Sequence, residues 1–223
     1  MHTRLGRFHS AHPRFLLMYS ALQFSPEEQA KPDGSLSLPY VAGALRRAGF
    51  DVEILDVSVG GASDRLEDGF LKPTRLPSGL NRCGIPPNRV AEYLEDVDVV
   101  GISSIFTTQT SMVLELVRLV KAVNPNTLVI AGGVNARNMR RRFFDAGVDL
   151  ITLSESEATI VAIGDALRGD GSLSEVGGIA YRNDRGLEIL TPPGPVLEDL
   201  DQLPMPAWDM LPLDKYWDLS RPH

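Results

Sequence analysis

Between residues 14 and 153 the chain alternates short apolar runs with stretches whose apolar residues recur every three or four positions. The runs 14–20, 51–57, 98–103, 127–131 and 149–153 read as strands. In the third, Val99-Val-Gly-Ile102 carries almost no polar alternation, the signature of a strand buried on both faces. Between them lie helical patterns over 37–48, 89–95, 109–123, 136–146 and 157–167. In the first of these, Leu38, Val41, Ala42 and Leu45 form one stripe, and Gly49 follows where a left-handed residue ends a helix. The long one places Met112, Leu116, Leu119 and Val123 on one side. Strands alternating with amphipathic helices specify a parallel sheet covered on both faces. The predicted fold is therefore a doubly wound, Rossmann- or flavodoxin-like α/β domain over 14–170, with five strands in the order 2-1-3-4-5.

Elsewhere the periodicity fails. Residues 1–13 read as an extension. The stretch 58–88 holds five glycines, four prolines and no sustained apolar period, which predicts a long insertion or flexible loop. After Gly169, the segments 178–182 and 186–190 flank Asn183-Asp-Arg185 and read as a β-hairpin, assigned to 171–192. From residue 193 to 223 prolines are dense, predicting an extended linker with no core element.

Composition narrows the function. Hydrophobic residues make up 43% and charged residues 23%, and no apolar run approaches the roughly 20 residues of a membrane-spanning helix. The run 15–18 is too short for a secretory signal, so a cytoplasmic protein is expected. A net charge of −7 argues against a nucleic-acid partner. The cluster Arg137, Arg140, Arg141 and Arg142 spreads around a helix and reads as a solvated face. Cys83 is the single cysteine, so these 223 residues cannot form an internal disulfide or hold an iron–sulfur cluster by themselves. His2, His9, His12 and His223 all lie near the termini, which speaks against a histidine triad or zinc centre in the core.

In open parallel sheets ligands bind beyond the carboxyl ends of the strands, near the point where strand order reverses. The segments there are 21–35, Ser103-Ser-Ile-Phe-Thr-Thr108, Gly132-Gly-Val-Asn135 and Ser154-Glu-Ser-Glu-Ala-Thr159. Small hydroxyl residues and a glycine pair admit a bulky ligand close to backbone amides. Each also has a plainer reading: Ser103 and Ser104 as helix caps, Gly132-Gly133 as a tight turn, and Ser154 with Glu157 as a capping box, with Glu155 and Glu157 complementing a helix dipole.

Taken together, 36–52, 99–104, 129–133 and 149–159 resemble the N-terminal cobalamin-binding domains of radical S-adenosylmethionine enzymes, a group that includes methyltransferases and magnesium-protoporphyrin ester cyclases. The segment 197–208 resembles the stretch that joins this domain to the radical barrel. That resemblance implies corrinoid contacts at Ser103, Ser104, Thr107, Gly132, Gly133, Val134, Ser154 and Glu155, with Leu36 and Leu38 facing the corrin. It also implies a barrel, in the same chain or a partner, carrying S-adenosylmethionine and a [4Fe-4S] cluster held by a CxxxCxxC motif that this sequence lacks. Where the family has Gly-Glu-Gly-Glu, this sequence has Ser154 and Ser156. The family's histidine near the glycine pair is replaced around Asn135, and the Asp-x-His-x-x-Gly motif of other cobalamin proteins is missing. The implied cofactor is thus base-off cobalamin without a protein imidazole on cobalt. A receiver-like domain lacks its acidic residues here, since Met18-Tyr-Ser20 and Ser103-Ser104 stand in their places. A nucleotide or flavin module, and an interaction domain whose cofactor site has decayed, remain alternatives.

Overall fold

The computed structural model describes residues 4–219 apart from 33, 35 and 197. The strands are β1 (Arg14–Tyr19), β2 (Leu22–Phe24), β3 (Asp51–Asp56), β4 (Thr74–Arg75), β5 (Asn81–Cys83), β6 (Val99–Ser103), β7 (Leu128–Gly132), β8 (Leu150–Thr152), β9 (Ile179–Arg182) and β10 (Glu188–Leu190). The helices are α1 (Ser37–Arg47), α2 (Pro87–Tyr93), α3 (Thr110–Val123), α4 (Val134–Asn138), α5 (Arg140–Ala146), α6 (Glu157–Arg168) and α7 (Leu213–Asp218). The main sheet runs β10-β9-β8-β7-β6-β1-β3, and β3, β1, β6, β7 and β8 are mutually parallel. The chain steps outward from β1 to β3 and then returns past β1 to β6, so the strand order reverses between β1 and β6.

Alternation along β1 divides the core. Phe15, Leu17 and Tyr19 face α1 and α6, while Leu16 and Met18 face the side of α2, α3 and α5. All five are at most 2% exposed, as strands covered on both sides require. Gly49, at φ +77°, follows α1 in the left-handed conformation that a residue without Cβ adopts most readily. The single helix expected over 136–146 is two, because Met139, at φ −113° and ψ 27°, leaves helical geometry. Among the described residues no helix is long and apolar enough to cross a membrane.

Three regions differ from the sequence-based expectations. The stretch 58–88 is no flexible loop: β2, β5 and β4 form a small antiparallel sheet in which Leu22 pairs with Cys83, and Phe70 and Ile85 are buried. The hairpin is not a separate unit, because β9 pairs antiparallel with β8, Ile151 opposite Ala180, and so extends the main sheet. The segment 193–223, expected to be a linker without core residues, buries Ala207, Leu211 and Tyr216 against the α1 side of the sheet. Single apolar residues set among prolines suffice for this, since each fills a gap in a surface that already exists.

Asp56, 1% exposed, ends β3 and accepts hydrogen bonds from Ser58 N (2.8 Å), Ser58 Oγ (2.6 Å) and Tyr216 Oη (2.8 Å), with Lys215 nearby. Burial pushes its carboxyl pKa up, against the pull of these bonds. The folded protein therefore holds this proton more tightly than the unfolded chain does. Stability from this group falls as pH rises from the ordinary carboxylate range through the raised value. Asp56→Asn is expected to remove that decline, so its urea midpoint relative to the parent should rise as pH increases from the ordinary carboxylate range. A constant difference would show that Asp56 does not titrate in this way.

Candidate functional site

At the carboxyl ends of β1, β6, β7 and β8, a cleft of about 210 Å³ opens between α1 and α6. Two glycines make its floor. A Cβ on Gly101 would stand 2.7 Å from Leu17 Cδ2, and one on Gly132 would stand 3.0 Å from Thr152 Oγ1 and 3.7 Å from Ser156 Oγ. The walls are apolar, formed by Leu38 and Val41 of α1, Ile130 of β7 and Ile160 of α6. Hydroxyls are set into them: Ser37 Oγ lies 3.3 Å from Ser103 Oγ, and Ser156 Oγ donates to Thr152 Oγ1 at 2.9 Å. The Tyr19 hydroxyl, 3.3 Å away, accepts from the Leu38 amide and ties the first turn of α1 to β1.

Of the residues expected here, Leu38, Ser103, Gly132, Gly133, Ser154 and Glu155 line the cleft. Leu36 (50% exposed) and Val134 (43%) do not line it, nor does Phe106 (55%); all three lie on segments bordering it. Ser104 does not reach the cleft either. One position on from Ser103, it is 2% exposed and accepts from Asn135 Nδ2 at 2.9 Å, while the same amide donates to Thr110 Oγ1 at 3.0 Å. Thr107 is exposed, and its carbonyl accepts from the hydroxyl of Thr110, the first residue of α3, at 2.7 Å. Gly133, at φ +100°, lets the turn pass so close to β6 that a Cβ would stand 2.4 Å from the Ser104 carbonyl oxygen.

The simple capping readings do not hold. Gln109 precedes α3, and Ser156 takes the N-cap position of α6 without a side-chain cap bond. Glu157 stands in the first turn of α6, where the helix dipole favours a carboxylate.

Sequence reasoning missed Ser37, Thr152 and Arg137. Ser37 opens a helix and Thr152 ends a buried strand, so only the lateral placement of α1 and β8 brings them to the cleft. Arg137, assigned to a solvated face, donates through Nη1 to the Leu153 carbonyl at 2.8 Å and steadies the turn after β8. Arg140 and Arg141 do lie outward, paired with Glu188 and Asp145. His9 sits near Gly169 and the start of β6, at the opposite edge of the sheet. Among the described residues, no group of three or more His, Cys, Asp or Glu side chains is placed to hold a metal ion.

The family profile described as the B12 binding domain matches residues 82–164, the part running from β5 into α6. Cytidylyl-2-hydroxyethylphosphonate methyltransferase of Streptomyces wedmorensis is 30% identical over 208 residues, covering 83% of this chain and 38% of that protein. The anaerobic magnesium-protoporphyrin IX monomethyl ester cyclase of Rubrivivax gelatinosus is 28% identical over 124 residues, 53% of this chain and 22% of that one. The chain thus spans well under half the length of these curated relatives. Among solved structures, the cobalamin-dependent S-adenosylmethionine radical enzyme OxsB, with aqua-cobalamin and S-adenosylmethionine bound, shares the fold with a TM-score of 0.68. It is 19% identical, and the match covers 93% of this chain and 25% of that one. The radical S-adenosylmethionine methyltransferase TsrM of Kitasatospora setae, with cobalamin and a [4Fe-4S] cluster bound, matches with a TM-score of 0.59 at 16% identity, over 86% of this chain and 31% of that one. These 223 residues carry a B12-binding domain that resembles the one in cobalamin-dependent radical S-adenosylmethionine methyltransferases and cyclases.

Proposed function

We propose that this chain binds cobalamin at the cleft between α1 and α6 and presents it to a radical S-adenosylmethionine barrel, supplied in the same chain or by a partner, in the cytoplasm. The observation that carries this reading is the glycine floor. Gly101 and Gly132 line the cleft with backbone alone, and a Cβ on either would press on Leu17 or Thr152, near the strand-order reversal where such folds take ligands. A cleft of about 210 Å³ is smaller than the roughly 300–1,000 Å³ of a site that engulfs a drug-sized molecule, so it suits one arm of a large ligand. The apolar walls and inset hydroxyls fit the nucleotide arm of a base-off cobalamin, and Leu36, Phe106 and Val134 offer apolar surface to the macrocycle. Bound there, cobalamin supplies a cobalt centre for methyl transfer or radical chemistry.

The chain's own residues then have distinct tasks. Leu38, Val41, Ile130 and Ile160 exclude water from the arm, and Ser37, Ser103 and Thr152 offer hydrogen bonds to its polar atoms. Gly133, Ser154 and Glu155 border the arm's entry, and no histidine among the described residues lies at the cleft. Mixing the protein with hydroxocobalamin and desalting is expected to leave a corrinoid absorbance spectrum in roughly equimolar amount. A colourless protein would overturn the reading in favour of a decayed site or another ligand.

A further inference from the structure

The polypeptide from Gln202 to Tyr216 crosses the outside of α1 and ends beside β3. Ala207 N donates to the Pro39 carbonyl at 2.9 Å, Arg46 pairs with Asp209 at 2.8 Å, and Arg47 donates to the Gln202 carbonyl. Backbone lies on helix at Gly43, where a Cβ would stand 2.6 Å from the Met205 carbonyl oxygen. The far end is fastened twice. Tyr216 donates to Asp56, and Lys215 Nζ donates to the carbonyls of Val59 (3.0 Å) and Gly61 (2.6 Å).

Helix α1 therefore has two occupied faces. Leu38 and Val41 look into the cleft, while Pro39, Gly43, Arg46 and Arg47 carry the crossing segment. With 3.6 residues per turn these two stripes fall on nearly opposite sides of the helix. We infer that residues 202–216 form a strap that holds α1 against the sheet and so sets the width of the cleft, with Gly43 and Tyr216 as positioning residues. Ligand in the cleft and strap on the helix are then coupled through α1, and the coupling is reciprocal. The ligand half of this inference rests on the proposed cobalamin site; the strap half stands without it.

Gly43→Ala and Tyr216→Phe test it. Alanine is the better helix former, so any loosening of α1 in Gly43→Ala comes from the displaced strap and not from the helix itself. The two tryptophans of the sequence, Trp208 and Trp217, both lie on or just past the strap, so their emission reports its docking. Without ligand, both variants are expected to shift tryptophan emission to longer wavelength and to speed hydrogen exchange of the 41–47 amides about tenfold, with unchanged far-ultraviolet circular dichroism. With hydroxocobalamin, both should bind about tenfold more weakly, and saturating hydroxocobalamin should slow exchange of the 207–217 amides in the parent protein. Unchanged emission in Gly43→Ala, or a released strap with unaltered α1 exchange, would overturn the inference. A parent protein that retains no corrinoid while α1 exchange responds to Gly43→Ala would sink the cobalamin reading and leave the strap standing.

Discussion

Gly132→Val is expected to leave the protein folded and colourless after incubation with hydroxocobalamin and desalting. Residue 132 ends β7 and is not among the glycines with positive φ, so a β-branched residue suits its backbone. The new Cβ would meet Thr152 Oγ1 at 3.0 Å, a side-chain atom that can give by a few tenths of an ångström, and the methyl groups would then occupy the cleft. The stability cost should stay near about 1 kcal/mol, as for modest overpacking, while the arm of the ligand loses its place. Absorbance of the desalted protein and its thermal midpoint separate the two effects. Retained corrinoid would show that the ligand sits elsewhere.

The neighbouring substitution should act on the fold instead. Gly133→Ala puts a Cβ at φ +100° and 2.4 Å from the Ser104 carbonyl oxygen, where the obstacle is backbone on the adjacent strand end. Strain and clash together should cost roughly 2–4 kcal/mol. A urea titration should show a lowered midpoint with an unchanged slope. A parent-like midpoint would mean that the turn can move away from β6. Adjacent glycines that look interchangeable in the sequence thus differ in the structure, one opening onto the cleft and the other letting two backbone segments touch.

What could be read from the sequence follows from the reach of its signals. The five parallel strands and the α1 stripe were legible because each is a local period in buried residues. That Ser103 and Gly132 lie at the cleft was legible because strand ends in such a sheet converge on one edge. Ser104 was misplaced by a single step, since alternation along β6 carries it away from the cleft to meet Asn135. The small sheet of β2, β4 and β5 left no trace, because strands of two or three residues have no period and β2 pairs with a strand far along the chain, Leu22 opposite Cys83. The strap escaped for a related reason. Ala207, Leu211 and Tyr216 match gaps on α1 and β3 and have no pattern among themselves.

The pairing of β9 with β8 bears on how this protein can be handled. β8 is three fully buried residues, Leu150, Ile151 and Thr152, with β7 along one side and β9 along the other. A fragment ending before residue 178 would leave that side with bare amides and carbonyls over apolar side chains, a template for another chain to add a strand. On that side of the complete sheet the outermost strand is only Glu188–Leu190, and Glu188 is held by Arg140. The hairpin thus covers the edge of β8, and a fragment ending before residue 178 is expected to self-associate more than the 223-residue chain does.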